Sequence, residues 1–165
     1  MSDAPGDDRG TTYNILFVCS GNTCRSPMAA ALARDAVDRR GWSYVRVDSA
    51  GASAARGEPA AENGVAALRE IGLDLARHES KPVTAGAVEW ADLIVVMGPS
   101  HAERVRALGG GHKLFLLTEF LRGPRAGEPI EDPFGGDLRV YREARDQIRR
   151  GIEAMVEGLT PLLAP

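Results

Sequence analysis

The sequence predicts an α/β fold: a single three-layer domain with a four-stranded parallel sheet and helices on both faces. Three observations predict it. Four short apolar runs are spread along the chain, at Ile15 to Val18, Tyr44 to Val47, Leu93 to Met97 and Leu114 to Leu117. Three of them are continuous rather than alternating, the pattern of strands covered on both sides. Helical stripes fall between them, and strict alternation of strand and helix calls for parallel strands joined by right-handed crossovers.

Taken in order, the first strand leads into a stripe of Met28, Leu32 and Ala36, flanked by Ala29, Ala33 and Val37. The second run, Tyr44-Val45-Arg46-Val47, alternates. Val65, Leu68 and Ile71 form the next stripe, and Ala102, Val105 and Leu108 the one after the third strand. The final segment places Leu138, Tyr141, Ile148, Ile152, Met155, Leu159 and Leu162 at three- and four-residue steps. It reads as one long amphipathic helix, in which Gly151 and Gly158 each cost about 1 kcal/mol relative to Ala. Loops are expected at Gly109-Gly110-Gly111 and from Gly123 to Gly136, the latter long enough to suspect a functional role.

Composition narrows the function classes. A chain of 165 residues fits one domain and hides about 70% of its unfolded surface. With 44% hydrophobic and 26% charged residues it reads as globular, and a net charge of −3 gives no case for nucleic acid or an anionic membrane as partner. No apolar run approaches the roughly 20 residues that span a bilayer. Met1 to Thr12 lacks an apolar stretch and is expected to be a flexible tail rather than a secretory signal, with the domain over residues 13–165. The two cysteines, Cys19 and Cys24, do not form a disulfide-dense scaffold, so a cytoplasmic setting is expected. A monomer or weak homodimer is anticipated.

In a parallel sheet, ligands bind at the carboxyl ends of the strands near the switch in strand order. The loop after the first strand reads Cys19-Ser20-Gly21-Asn22-Thr23-Cys24-Arg25-Ser26-Pro27. Ser26 is placed as N-cap and Pro27 as the first helical residue, directing helix N–H groups and the positive dipole end at the loop. Gly21 and Asn22 permit a left-handed curl that turns successive N–H groups inward as an anion nest. Arg25 adds a planar fork suited to two phosphate oxygens. Helix N-termini and nearby cations favour thiolate over thiol, so Cys19 is a nucleophile set beneath a site for a tetrahedral dianion. Attack on phosphorus would yield a cysteinyl-phosphate.

Residues Val18 to Ala29 resemble the signature of the low-molecular-weight protein tyrosine phosphatases, of phosphotyrosine phosphatase I-like, flavodoxin-like fold. The resemblance extends to Asp48-Ser49-Ala50-Gly51, to Ala91 through Met97, and to Asp132-Pro133-Phe134-Gly135-Gly136. It implies a metal-independent phosphoprotein phosphatase that needs no cofactor. It also implies that Asp132 protonates the leaving group and later activates water, a contribution of about 10²–10⁴-fold in rate. Glu131 is the neighbour that could be confused with it. Ser26 has two competing jobs, N-cap or hydroxyl donor to the thiolate, and the resemblance favours the second. Asn22, Ser49 and His78 match positions that hold the loop through hydrogen bonds. Cys24 is either a small buried filler or, as the resemblance implies, the partner of Cys19 in a reversible disulfide.

The substrate is read from a few side chains. Tyrosine-directed members typically carry a bulky apolar residue where this chain has Thr23. The members that dephosphorylate arginine have Thr there, and Ser20 and the stretch around Phe134 resemble theirs. Phosphoarginine is therefore favoured, with phosphotyrosine as the alternative. An arsenate reductase would need further cysteines after Cys24, and a receiver domain an acidic residue in place of Cys19. A non-catalytic binding module would be expected to have lost Cys19, Arg25 or Asp132, and all three are present.

Overall fold

The computed structural model describes residues 11–163; of the expected tail, all but Thr11 and Thr12 lie outside the described residues. The elements run β1 (Tyr13–Cys19), α1 (Arg25–Arg39), β2 (Val45–Gly51), α2 (Glu62–Arg69), α3 (Ala85–Trp90), β3 (Leu93–Val96), α4 (Pro99–Ala107), β4 (Leu114–Leu116) and α5 (Leu138–Leu163). Short 3₁₀ turns cover Gly111–Lys113 and Leu117–Phe120.

All four strands pair in parallel, in the order β2-β1-β3-β4. The register aligns Cys19 with Gly51 and Val18 with Val96, so the first two strands end together beside the loop. Strand order reverses between β1 and β3, which opens the ligand crevice at their carboxyl ends. The two central strands are buried on both faces, as their continuous apolar runs predict. The alternating run belongs to the edge strand β2, where Arg46 faces solvent and Val45 does not.

Two cores flank the sheet. Ile15, Phe17, Met28, Leu32, Leu68, Ile148, Ile152 and Met155 form the larger one, between the sheet and α1, α2 and α5. Leu16, Val18, Ile94, Val96 and Val105 pack on the opposite face against α3 and α4. Phe17 alone, fully buried, contributes about 1.5–3 kcal/mol by leaving water.

The helical stripes match with local corrections. The second ends at Arg69 rather than Ile71, because Gly72 takes φ +83° and the chain turns there. The six-residue α3, capped by Thr84 Oγ1 accepting from Ala87 N–H at 3.1 Å, buries only Val88 and had no stripe to reveal it. In α5 it is Leu163, not Leu162, that completes the buried face, and Leu162 stands exposed. Gly151 has a packing reason that outweighs its propensity cost: a Cβ there would sit 2.6 Å from Leu117 Cγ, so only Gly lets α5 press against that turn.

Candidate active site

The loop from Cys19 to Arg25 is shaped by the acceptors it turns outward. Cys19 O and Ser20 O accept from Ala52 N–H and Ser53 N–H at 2.8 and 2.9 Å, and Thr23 O accepts from Ala61 N–H at 3.0 Å. Asn22 O accepts from His78 Nε2 at 2.6 Å. With the carbonyls directed out, the N–H groups of Gly21 through Arg25 have no acceptor among the described residues. Successive amides left without acceptors in one curl are what an anion nest is built from.

Asn22 is the keystone of the curl. Its φ is +58°, a conformation Asn tolerates better than most residues, and it is fully buried. Its Nδ2 donates to both Ser26 Oγ and Ser49 Oγ at 2.9 Å, and its Oδ1 accepts from Lys81 N–H at 3.0 Å. Ser49 and His78, both expected to support the loop, each contact this one residue. Burial pushes the His78 imidazole below its usual basicity, which suits a neutral ring donating to a carbonyl. Gly51 joins them: a Cβ there would meet Ser20 O at 2.5 Å and Asn22 N at 3.0 Å, so β2 can approach the loop only without a side chain.

Cys19 ends β1 at the floor of an open pocket of about 210 Å³ lined by Gly21, Thr23, Cys24, Arg25, Asp132 and Phe134. Its Sγ lies 2.9 Å from Ser26 Oγ and accepts from Ser26 N–H at 3.4 Å. One sequence expectation is corrected here. The helix begins at Arg25, with Cys24 as its N-cap and no side-chain cap, so neither is Ser26 the cap nor Pro27 the first residue. Ser26 sits in the first turn, where its hydroxyl is close enough to serve the sulfur.

Arg25 is buried, and its guanidinium is held on two sides. Nη1 donates to Ile130 O at 2.9 Å, while Nη2 reaches Ser20 Oγ and Asp132 Oδ2, each at 3.5 Å. Its Nε is buried without a partner among the described residues. Asp132 is half-exposed at the pocket rim, with Oδ1 accepting from Phe134 N–H at 3.1 Å. Glu131 does not line this pocket, which separates it from Asp132. Phe134 stands largely exposed at the mouth, unlike any core aromatic.

Two side chains escaped the sequence reading. His101, which belongs to no motif of the sequence, lies within hydrogen-bonding distance of Ser20. Tyr141, read as part of the α5 stripe, places its hydroxyl 3.3 Å from Cys24 Sγ in the buried floor beneath the loop. Burial pushes the Cys24 thiol upward, opposed by that hydrogen bond. A lone polar residue at a helical core position, such as Tyr141, was the available signal, since a buried hydroxyl needs a partner.

Comparison with known proteins agrees with this geometry. Residues 14–161 match the family described as low molecular weight phosphotyrosine protein phosphatase. A protein-arginine-phosphatase of Geobacillus stearothermophilus is 39% identical over 149 residues, covering 89% of this chain and 96% of that protein. A probable low molecular weight protein-tyrosine-phosphatase, EpsP, of Ralstonia solanacearum is 35% identical, covering 90% and 97%. Among solved structures, YwlE arginine phosphatase, as a cysteine-to-serine mutant with a phosphorylated active site serine, superposes with a TM-score of 0.82 at 36% identity, covering 89% and 95%. A cysteine at a strand end, an arginine on the first helical turn and a nest of unpaired amides between them therefore have a family: this chain belongs to the low molecular weight phosphotyrosine protein phosphatases and is a protein phosphatase.

Proposed function

We propose that the enzyme dephosphorylates phosphoarginine in proteins through a cysteinyl-phosphate on Cys19. The observation that carries the reading is the cradle. Five amide hydrogens from Gly21 to Arg25 and the buried Nε of Arg25 lack acceptors among the described residues, and they belong to the loop that lines the pocket over the sulfur. Unsatisfied buried donors are costly, and a bound phosphoryl group would satisfy them together.

In the first step Cys19 Sγ attacks phosphorus and the P–N bond to the guanidino group breaks. Arg25 and the loop amides take the charge of the three phosphoryl oxygens. Asp132, at the rim 3.5 Å from Arg25, gives its proton to the departing nitrogen. In the second step the Asp132 carboxylate removes a proton from water, whose oxygen attacks phosphorus. The S–P bond then breaks, phosphate leaves, and the thiolate is received by the Ser26 hydroxyl at 2.9 Å. The relative whose active site serine carries phosphate supports a phospho-enzyme at this position.

Preference for arginine rests on Thr23, whose small polar side chain lies on the pocket wall. The relatives named as arginine phosphatases support the same choice. One observation favours a phosphotyrosine enzyme: exposed Phe134 at the mouth could stack on an aryl ring. Side-by-side kcat/KM on phosphoarginine and phosphotyrosine peptides decides between them. The proposal expects the first to be larger and the ratio to move toward phosphotyrosine in Thr23→Ile; a preference for phosphotyrosine in the native protein overturns it. Because Cys19 must stay a free thiolate, we place the reaction in the cytoplasm. The protein would act there as a monomer or weak homodimer on phosphorylated proteins.

A further inference from the structure

Outside the residues that line the pocket, one buried polar chain connects the far side of the sheet to the phosphate clamp. His101 lies in the first turn of α4, just past the end of β3, and is 3% exposed. Its Nδ1 accepts from Gly98 N–H at 3.2 Å. A ring nitrogen that accepts cannot carry the proton, so in the neutral ring Nε2 carries it. That Nε2–H donates to Ser20 Oγ at 2.9 Å, and the same oxygen is 3.5 Å from Arg25 Nη2. The ring faces two charged groups, Arg25 and Asp132, and burial first, then Arg25, holds its basicity low, with Asp132 opposing.

We infer that His101 is a positioning residue for the phosphate clamp, fixing the Ser20 hydroxyl as the acceptor that sets the plane of the Arg25 guanidinium. Ile130 O holds Nη1 and Ser20 Oγ holds Nη2. Together they define the guanidinium plane and leave Nε free for an oxyanion. Without His101, Ser20 can turn its hydroxyl away. Nη2 then keeps only Asp132, and the fork tilts toward that carboxylate. The neutral ring also orients Ser20 without bringing a second cation against Arg25.

The inference rests on the phosphate-site reading above, and the experiment separates the two. Orthovanadate inhibition and kcat/KM for p-nitrophenyl phosphate are measured on the native protein, His101→Asn, His101→Gln, Ser20→Ala and the double variant His101→Asn/Ser20→Ala. Asn at this position can still accept from Gly98 N–H but is too short to reach Ser20, so it keeps the helix start and cuts the link. The expected result for His101→Asn is an unchanged melting temperature, vanadate inhibition weakened about tenfold, the scale of one hydrogen bond to a charged group, and a matching loss in kcat/KM. The longer His101→Gln should recover part of both. Adding Ser20→Ala should cost nothing more, because the two residues act in series. Native-like vanadate inhibition in His101→Asn, or additive losses in the double variant, overturns the inference. If His101→Asn does not fold, His101→Gln decides, by the same coupling with Ser20→Ala. Failure of vanadate to inhibit the native protein would instead overturn the phosphate-site reading, and this inference with it.

Discussion

The Ser26 hydroxyl lies 2.9 Å from the sulfur of Cys19 and, on its other side, accepts from Asn22 Nδ2 at 2.9 Å. With one lone pair engaged by an amide that can only donate, Ser26 is set to give its own proton to the sulfur. The alternative acceptor, Ala50 O, is farther at 3.3 Å. A helix-start residue thereby has its hydroxyl directed at the sulfur. Ser26→Ala should slow iodoacetamide alkylation of Cys19 at pH 6 and lower kcat by about 10–100-fold, the worth of one hydrogen bond to an anion. An alkylation rate equal to the native one would remove Ser26 from the mechanism.

Cys19→Ser should abolish turnover while retaining oxyanion binding, because the amide nest and Arg25 remain. Asp132→Ala should lower kcat on phosphoarginine peptides by about 10²–10⁴-fold. With p-nitrophenyl phosphate, whose leaving group needs little protonation, it should still show a rapid first burst of product. Stopped-flow traces check this, and equal losses on both substrates would deny Asp132 the role of acid.

Gly51→Ala tests the fit of β2 against the loop. The added methyl would meet Ser20 O, Ala54 Cβ and Asn22 N at 2.5, 2.7 and 3.0 Å, two of them backbone atoms that cannot swing aside. Overpacking of this kind costs about 1–3 kcal/mol, and here it also displaces the amides that form the nest. The expected outcome is a melting temperature several degrees lower and a disproportionate loss of vanadate inhibition. A stable variant with native inhibition would show that the loop tolerates displacement.

Acid sensitivity has a definite sign. His101 is pushed down to about 4 by burial and Arg25, and His78 is shifted the same way by burial. An unfolded histidine titrates near 6.5, so between about 4 and 6.5 the unfolded chain binds more protons than the folded one. Stability contributed by the neutral rings is present above pH 6.5 and declines as pH falls toward 4, levelling off below. Urea unfolding at stepped pH should show this slope, and His101→Gln should flatten it. A slope identical in the variant would assign the acid sensitivity elsewhere.

Peroxide should inactivate the enzyme by oxidising the Cys19 thiolate to a sulfenic acid with release of hydroxide. Attack by the Cys24 thiol then expels water and leaves a disulfide that dithiothreitol reduces. Tyr141, at 3.3 Å from Cys24 Sγ, anchors that thiol to α5. In Cys24→Ser the loss should become irreversible on prolonged exposure. Native activity that dithiothreitol fails to restore would count against the pair.

Much of this protein was legible along the chain because its determinants are local. The loop of Cys19, Gly21, Asn22 and Arg25 needs only its own dihedral preferences and a strand before a helix, and four apolar runs suffice to name a parallel sheet. Even so, the start of α1 shifted, since a helix beginning depends on which amides the packed loop leaves free rather than on a preferred cap type. What tertiary structure alone decided are contacts between residues far apart in sequence: Ser20 with His101, Arg25 with Ile130, Cys24 with Tyr141, at separations of 81, 105 and 117 residues. No periodicity encodes such pairs. They follow from the order in which parallel strands sit side by side, which delivers the first turn of α4, the loop before α5 and α5 itself to one end of the sheet.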